Sequence, residues 1–277
     1  MKKSGFSLNN CLVVIGILAL MLIVGSLFDY QLSSALYDST SFFALVFAGY
    51  GQYPVTLSVS ACAALLWHKG IVSKVFSVLL EVLAVFLAVV DPLVGIKGMN
   101  IIFIVIIALL VTALNTLFFY NLGKNKDRKV INRYVAALLI VTFCSLILVN
   151  VIKVFFQRPR MRMIAVTPEA SFQNWWVMGC DNYEFLRGLG IEAEEFKSFP
   201  SGHSANAAIL LIIMGALPLL EEKYYEKRNI LFFGALVFVL LVAFSRIVAG
   251  AHFLSDVTMG IFVTFVFEII VLKLIWR

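Results

Sequence analysis

Charge is scarce in this chain. Only 14% of its 277 residues are Asp, Glu, Lys or Arg, against about a quarter in ordinary soluble domains. So few charged groups cannot clothe a water-facing surface, which excludes a soluble globular enzyme. Low-complexity tracts and heptads are missing as well, so disordered, collagenous and coiled-coil classes fall away. Four cysteines are present. Cys11, Cys62 and Cys144 sit in apolar runs and Cys180 in a polar loop, so they form neither a disulfide framework nor a zinc-ligand spacing. They read as small packing residues.

The chain is instead rich in apolar residues, at 62%, with a mean hydropathy of +0.98. A bilayer is spanned by a helix of about 20 apolar residues, and eight runs qualify: 11–28, 42–67, 72–90, 101–120, 134–156, 205–220, 230–244 and 257–274. The expected fold is therefore an all-α, polytopic transmembrane helical bundle of about eight spans, one integral membrane domain over residues 1–277. The second run carries Gly49, Gly51 and Pro54 and is expected to kink. The sixth and seventh are short, and the polar residues at their ends are expected to continue the helix. The first run, behind Lys2 and Lys3, is long for a signal-peptide core and lacks a small-x-small cleavage site. It reads as an uncleaved signal anchor.

A net charge of +6 would suggest nucleic acid in a soluble protein. Here it follows topology, and no nucleic-acid partner is expected. With the N-terminus inside, the inner loops collect Lys2, Lys3, Lys69, Lys74, Lys124, Lys126, Arg128, Lys129, Arg133, Lys223, Lys227, Arg228, Lys273 and Arg277. Segment 29–41 has no Lys or Arg and 91–100 only Lys97. Both termini are thus expected in the cytoplasm, in what reads as a plasma-membrane protein. Seven cations break the rule by falling at the outer face: Lys153, Arg158, Arg160, Arg162, Arg187, Lys197 and Arg246.

The long polar interruption, 157–204, becomes an extracytoplasmic loop. Its Phe172, Trp175 and Trp176 suit a membrane–water boundary, and Glu192, Glu194 and Glu195 read as a solvated face. No internal repeat supports a transporter of the inverted-repeat kind. Glu81 and Glu268, inside apolar runs, read as interhelical hydrogen-bonding or boundary groups.

Of three histidines, His68 lies at an inner helix end beside Lys69 and reads as a boundary residue. The other two sit in polar clusters at the outer ends of spans. Pro200-Ser201-Gly202-His203 opens an apolar run, with Ser201 or Ser204 as helix cap. The N–H groups of such a helix start suit a phosphate, and Gly202 permits close approach. Ser245-Arg246 is followed after five residues by His252 and after three more by Asp256. If His252 opens the last helix, Asp256 is its i+4 neighbour and accepts one ring proton. Lys153 and Arg158-Pro159-Arg160 close the fifth run. Charges in such a place are functional candidates, and guanidinium groups bind phosphate oxygens in pairs. Two histidines, an Asp, strong cations and a helix start together suit displacement at phosphorus.

These residues resemble the type 2 phosphatidic acid phosphatase family, which includes glucose-6-phosphatases and vanadium haloperoxidases. Its motifs are K-x6-R-P, P-S-G-H and S-R-x5-H-x3-D. The second is complete at Pro200–His203 and the third at Ser245–Asp256. The first matches at Lys153 and Arg160, with Met161 in place of its last proline. The resemblance covers about 134–274, and family members commonly have six spans, so 72–120 reads as an added hairpin. It implies that His252 attacks phosphorus, that Asp256 orients it and that His203 protonates the leaving oxygen. Lys153, Arg160, Ser201, Gly202 and Arg246 would hold the phosphate, and Arg158 and Arg162 could touch a headgroup or second phosphate. No metal and no other cofactor is implied. The expected partner is a phosphorylated lipid in the bilayer, of the phosphatidic acid, phosphatidylglycerol phosphate or undecaprenyl diphosphate class. A soluble phosphomonoester, phosphoryl transfer to another lipid, a vanadate haloperoxidase and a non-catalytic anion transporter stay open at this point.

Overall fold

The computed structural model describes residues 3–96 and 98–276. Lys2, Lys97 and Arg277, three of the charges weighed above, lie outside the described residues. The first helix, α1 (Leu8–Leu36), is capped by Ser7, whose Oγ accepts the Asn10 N–H at 3.3 Å. It bends at Phe28 (φ −134°, ψ 16°) and continues well past the apolar run. The second run breaks as expected, into α2 (Phe42–Tyr50) and α3 (Tyr53–Leu66). Pro54 falls in the first turn of α3, where a missing N–H leaves no bond unmade. The hairpin α4 (Ile71–Gly95) and α5 (Ile101–Gly123) packs on α3.

Next comes α6 (Arg128–Phe156), capped by Asp127 and ended by Gln157 at φ 44°. Two short helices, α7 (Met161–Ile164) and α8 (Tyr183–Gly188), lie in the polar segment. The sixth run becomes α9 (Gly202–Gly215) and α10 (Leu217–Leu220), followed by α11 (Arg228–Val248) and α12 (Leu254–Ile275). Among the described residues, eight segments are long and apolar enough to cross a membrane. This is an all-helical bundle with eight spans.

The most enclosed span is α9, with α3, α6, α11 and α12 around it. Alanines at 205, 207 and 208 let the neighbours approach closely. Polar side chains tie the spans: Glu268 Oε1 accepts the Ile212 N–H at 3.0 Å, Thr264 Oγ1 donates to the Ala205 carbonyl at 3.0 Å, and Tyr134 Oη donates to the Ile213 carbonyl at 2.7 Å. Thr116 Oγ1 likewise donates to Glu81 Oε1 at 2.8 Å. Both glutamates are thus interhelical hydrogen-bonding groups.

Gly260 of α12 lies against the start of α9, where a Cβ would run into the Ser201 carbonyl oxygen and stand 3.3 Å from the Ala205 nitrogen. Backbone cannot retreat as a side-chain tip can. Gly260→Ala is expected to lose about 1–3 kcal/mol of stability, lowering the melting temperature in detergent and disturbing the α9 start. Gly234→Ala, with open space around it, should melt like the unaltered protein. Equal melting of the two variants would contradict this packing.

Candidate active site

Four chain segments meet at one end of the bundle. The first follows α6, whose last turn carries Lys153. After the left-handed Gln157 the chain runs alongside residues 195–198. The Arg160 N–H donates to the Glu195 carbonyl at 2.9 Å and the Ser198 N–H to the Arg158 carbonyl at 3.0 Å. The Arg162 N–H donates to the Gly250 carbonyl at 2.9 Å, tying this strap to the segment before His252.

The second segment is the start of α9. Ser201 is its cap: its Oγ accepts from the Ser204 N–H at 3.3 Å and the Ser204 hydroxyl at 3.1 Å. Its own N–H donates to the Asp256 carbonyl at 2.9 Å. Ser201 can therefore offer an anion only its hydroxyl proton. The N–H groups of Gly202 and His203 are first-turn amides without an acceptor inside the helix. A Cβ on Gly202 would stand 3.7 Å from Lys153 Nζ, so the ammonium lies beside the positive end of α9. Nε2 of His203 faces the Ala48 carbonyl of α2 at 3.1 Å. A carbonyl only accepts, so Nε2 carries the proton and Nδ1 is left for other work.

The third and fourth segments are the end of α11 and the start of α12. The Arg246 carbonyl accepts the N–H groups of Ala251 (3.1 Å) and His252 (3.3 Å), and Gly250 makes the turn at φ 62°. His252 lies before α12, which begins at Leu254. This corrects the expected pairing with Asp256. Outside the helix, i+4 geometry does not apply, and the carboxylate stands 4.0 Å from Nδ1. The Ser198 carbonyl takes that place at 2.6 Å. The proton is again fixed, here on Nδ1, and Nε2 is bare. Asp256 turns back on its own helix start, accepting from the Phe253 N–H at 2.8 Å, from Ser198 Oγ at 2.6 Å and from Arg158 Nη1. Its hydrogen-bonded route to the imidazole runs through Ser198.

Arg158 is also placed differently from expectation. It is fully buried, with its donors taken up inside the protein: its guanidinium bonds Asp256, Ser255, the Gln173 carbonyl and, at 3.0 Å, Asp29 Oδ2. The rings of Phe253 and Phe172 flank it, with centroids 4.3 and 5.3 Å away. Two buried carboxylates supply the charge that makes its burial tolerable. Asp29 belongs to α1 and also accepts the Ser255 N–H at 3.0 Å, capping α12 from another helix. Phe172 and Trp175 turn inward with this cluster, Trp175 stacking on Phe199 and donating to Ser26 Oγ at 3.0 Å. Trp176 stays exposed.

The cations that face the site keep unmet capacity. Among the described residues, Nε and Nη1 of Arg246 and Nε of Arg160 are buried with no hydrogen-bond partner. Donors left in that state are costly unless an acceptor arrives. Lys153 Nζ donates to the Lys197 carbonyl at 3.2 Å. The acidic stretch is not a free solvated face: Glu194 and Glu195 pair with Arg160 and Arg162. Arg162 is thereby engaged, with its side chain 36% exposed.

Burial holds the His252 ring well below the ordinary imidazole pKa, helped by the charges of Lys153, Arg160, Arg246 and His203. The geometry brings these groups together: Arg246 and His252 flank one turn, and Lys153 Nζ lies beside the start of α9 that carries His203 and reaches the Lys197 carbonyl next to Ser198. The neutral ring is the nucleophilic form. Nitrogen-15 NMR of His252 should show a proton on Nδ1, a bare Nε2 and no titration between pH 8 and 6. A ring titrating near 6.5 would contradict this environment. In linkage terms the unfolded chain takes up this proton as pH falls through about 6.5 and the folded chain does not. Stability therefore declines on acidification below that point.

Comparison with known proteins identifies the family. The family model for the PAP2 superfamily matches residues 133–277. The chain belongs to the PAP2 superfamily. The matched stretch begins in α6 and contains every motif residue, while α1 to α5 lie outside it. Membership makes this PAP2 protein a phosphatase of the phosphoesterase kind, and its eight spans fit an integral membrane protein. No curated protein and no solved structure matches the chain. Three supports of the PAP2 site were missed in the sequence: Asp29, Ser198 and the Ala48 carbonyl. A lone acid at the end of the first apolar run was a usable signal for Asp29. Any residue can supply a carbonyl, so Ala48 had none.

Proposed function

We propose that this PAP2 protein removes the terminal phosphate of a membrane-anchored lipid phosphate or diphosphate at the extracytoplasmic face, through a phosphohistidine. The class includes phosphatidic acid, phosphatidylglycerol phosphate and undecaprenyl diphosphate. Lys153, Arg160, Arg246, the Ser201 hydroxyl and the Gly202 and His203 amides hold the phosphate oxygens. Nε2 of His252 attacks phosphorus, the P–O bond to the leaving group breaks, and His203, which takes up a proton on its free Nδ1 when the phosphate dianion binds, gives that proton to the departing oxygen. A water then attacks the phosphohistidine and gives a proton to His203. Inorganic phosphate leaves and both rings are restored.

The observation that carries this reading is the bare Nε2 of a neutral His252 beside buried guanidinium donors that lack acceptors. The test is phosphate release by purified protein from a panel of lipid and soluble phosphates, with chelator present. The lipid phosphates are expected to turn over at least about tenfold faster, because a bilayer-anchored substrate is already held at the height of the site. Equal rates for soluble esters would remove the lipid assignment. Loss of activity in chelator would contradict a site built from side chains alone. Flux across sealed vesicles without phosphate release would favour a transporter.

A further inference from the structure

The anion site already holds an anion of its own. Glu194 Oε1 accepts from Arg160 Nη2 at 2.7 Å, and its Oε2 lies 3.1 Å from Lys197 Nζ. Glu195 stands 3.8 Å from Arg160 Nη1 while it pairs with Arg162. The partners differ in freedom: the Arg160 side chain is 9% exposed and that of Glu194 51%. A half-exposed carboxylate can swing into water, whereas the buried guanidinium cannot follow it. Burial opposes charge on Glu194, but Arg160, Lys197 and Lys153 outweigh it and hold its carboxyl below the ordinary range. The carboxylate also does an incomplete job. It leaves Nε of Arg160 and Nε and Nη1 of Arg246 without acceptors.

We propose that Glu194 is a selectivity gate: it occupies Arg160 against phosphodiester headgroups, which must displace it, and leaves enough donors open for a phosphate carrying two charges and three free oxygens. The proposal rests on the phosphatase reading of this site. Most phospholipids of a bilayer carry a phosphodiester, and these outnumber the phosphomonoesters. A diester brings one negative charge and two free oxygens, which is what the carboxylate already supplies, so exchange gains nothing. A monoester, or the end of a diphosphate, brings a charge of about −1.5 to −2 and three strong acceptors. Its oxygens reach the unsatisfied Nε of Arg160, the unsatisfied donors of Arg246 and the open amides of α9 while Glu194 stays on the outer edge of Arg160. Discrimination is a difference between two affinities: the diester carries the full cost of displacing the carboxylate, and the monoester, held by the remaining donors, does not.

The test uses Glu194→Gln in full-length protein in neutral detergent. Inorganic phosphate and dihexanoyl phosphatidylglycerol are the monoester-like and diester probes. Each is measured by calorimetric binding, which needs no turnover, and as an inhibitor of phosphate release from dioctanoyl phosphatidic acid. In Glu194→Gln the diester should bind about fivefold more tightly, the factor an ion pair of this kind supplies at the upper end of its range. Phosphate should gain less than about twofold, because the donors that hold it are open with Glu194 in place. Glu192→Gln, two residues away and outside the described ion pairs, should bind both probes like the unaltered protein. An unchanged ratio of the two affinities overturns the gate. So does a parallel loss of both, which would make Glu194 a positioning residue for Arg160. If calorimetry shows the shifted ratio but no lipid phosphate is hydrolysed, the gate stands and the phosphatase proposal falls. If phosphate is released and the ratio stays fixed, the reverse holds.

Discussion

His252→Ala is expected to lower phosphate release by on the order of 10⁴-fold or more, because it removes the atom that forms the new bond to phosphorus. The fold should survive. The ring donates one hydrogen bond, to the Ser198 carbonyl, and the larger struts of the site do not pass through it. Asp256 keeps its bonds to Phe253, Ser198 and Arg158, and the strap from Arg160 to Arg162 keeps its backbone pairing. Phosphate release and thermal melting, measured on the same detergent preparation, separate the two effects. Activity within tenfold of the unaltered protein would mean that another group attacks phosphorus. A collapsed melting profile would mean that the ring is structural.

Arg158→Leu has the opposite profile, with a large loss of stability. Asp29 and Asp256 are both buried and share this one guanidinium. Removing one side of a buried ion pair leaves uncompensated charge and costs about 3–5 kcal/mol, so the variant should melt far below the unaltered protein. Asp29→Asn is milder, since Arg158 keeps Asp256 and an amide oxygen still accepts from Ser255. It should fold and show a lower kcat at nearly constant KM, because the start of α12 and the aim of Asp256 loosen while the phosphate-holding cations stay in place. An Arg158→Leu protein that melts normally would show that this cluster is not what holds α1 against α12.

The spans were legible because lipid imposes a simple rule: backbone polar groups must be satisfied inside a helix about 20 apolar residues long. Their ends obey no such rule. Asp29, Tyr30 and Gln31 look like loop residues, yet α1 carries them to Leu36, which brings Asp29 to α12. The motif residues were legible because holding and attacking a phosphate demands cations and imidazoles. Their supports were harder to read. The spacing from His252 to Asp256 predicts direct contact only if both lie in one helix, and the chain enters α12 one residue after the histidine, through Phe253. Arg158 looked like one more surface cation because its two carboxylates are 129 and 98 residues away in sequence. Glu194 read as solvated for the same reason, its guanidinium partner lying 34 residues upstream.

The central claim is that phosphorus passes through a covalent bond to His252. The most direct measurement mixes the purified protein with a lipid phosphate, quenches into alkali within milliseconds, where phosphohistidine survives, and maps the phosphorylated peptide by mass spectrometry. The account predicts phosphate on His252 that appears before free phosphate and accumulates further in His203→Ala when the substrate has an activated leaving group. Free phosphate released in a burst with no label on His252 at any time would contradict it.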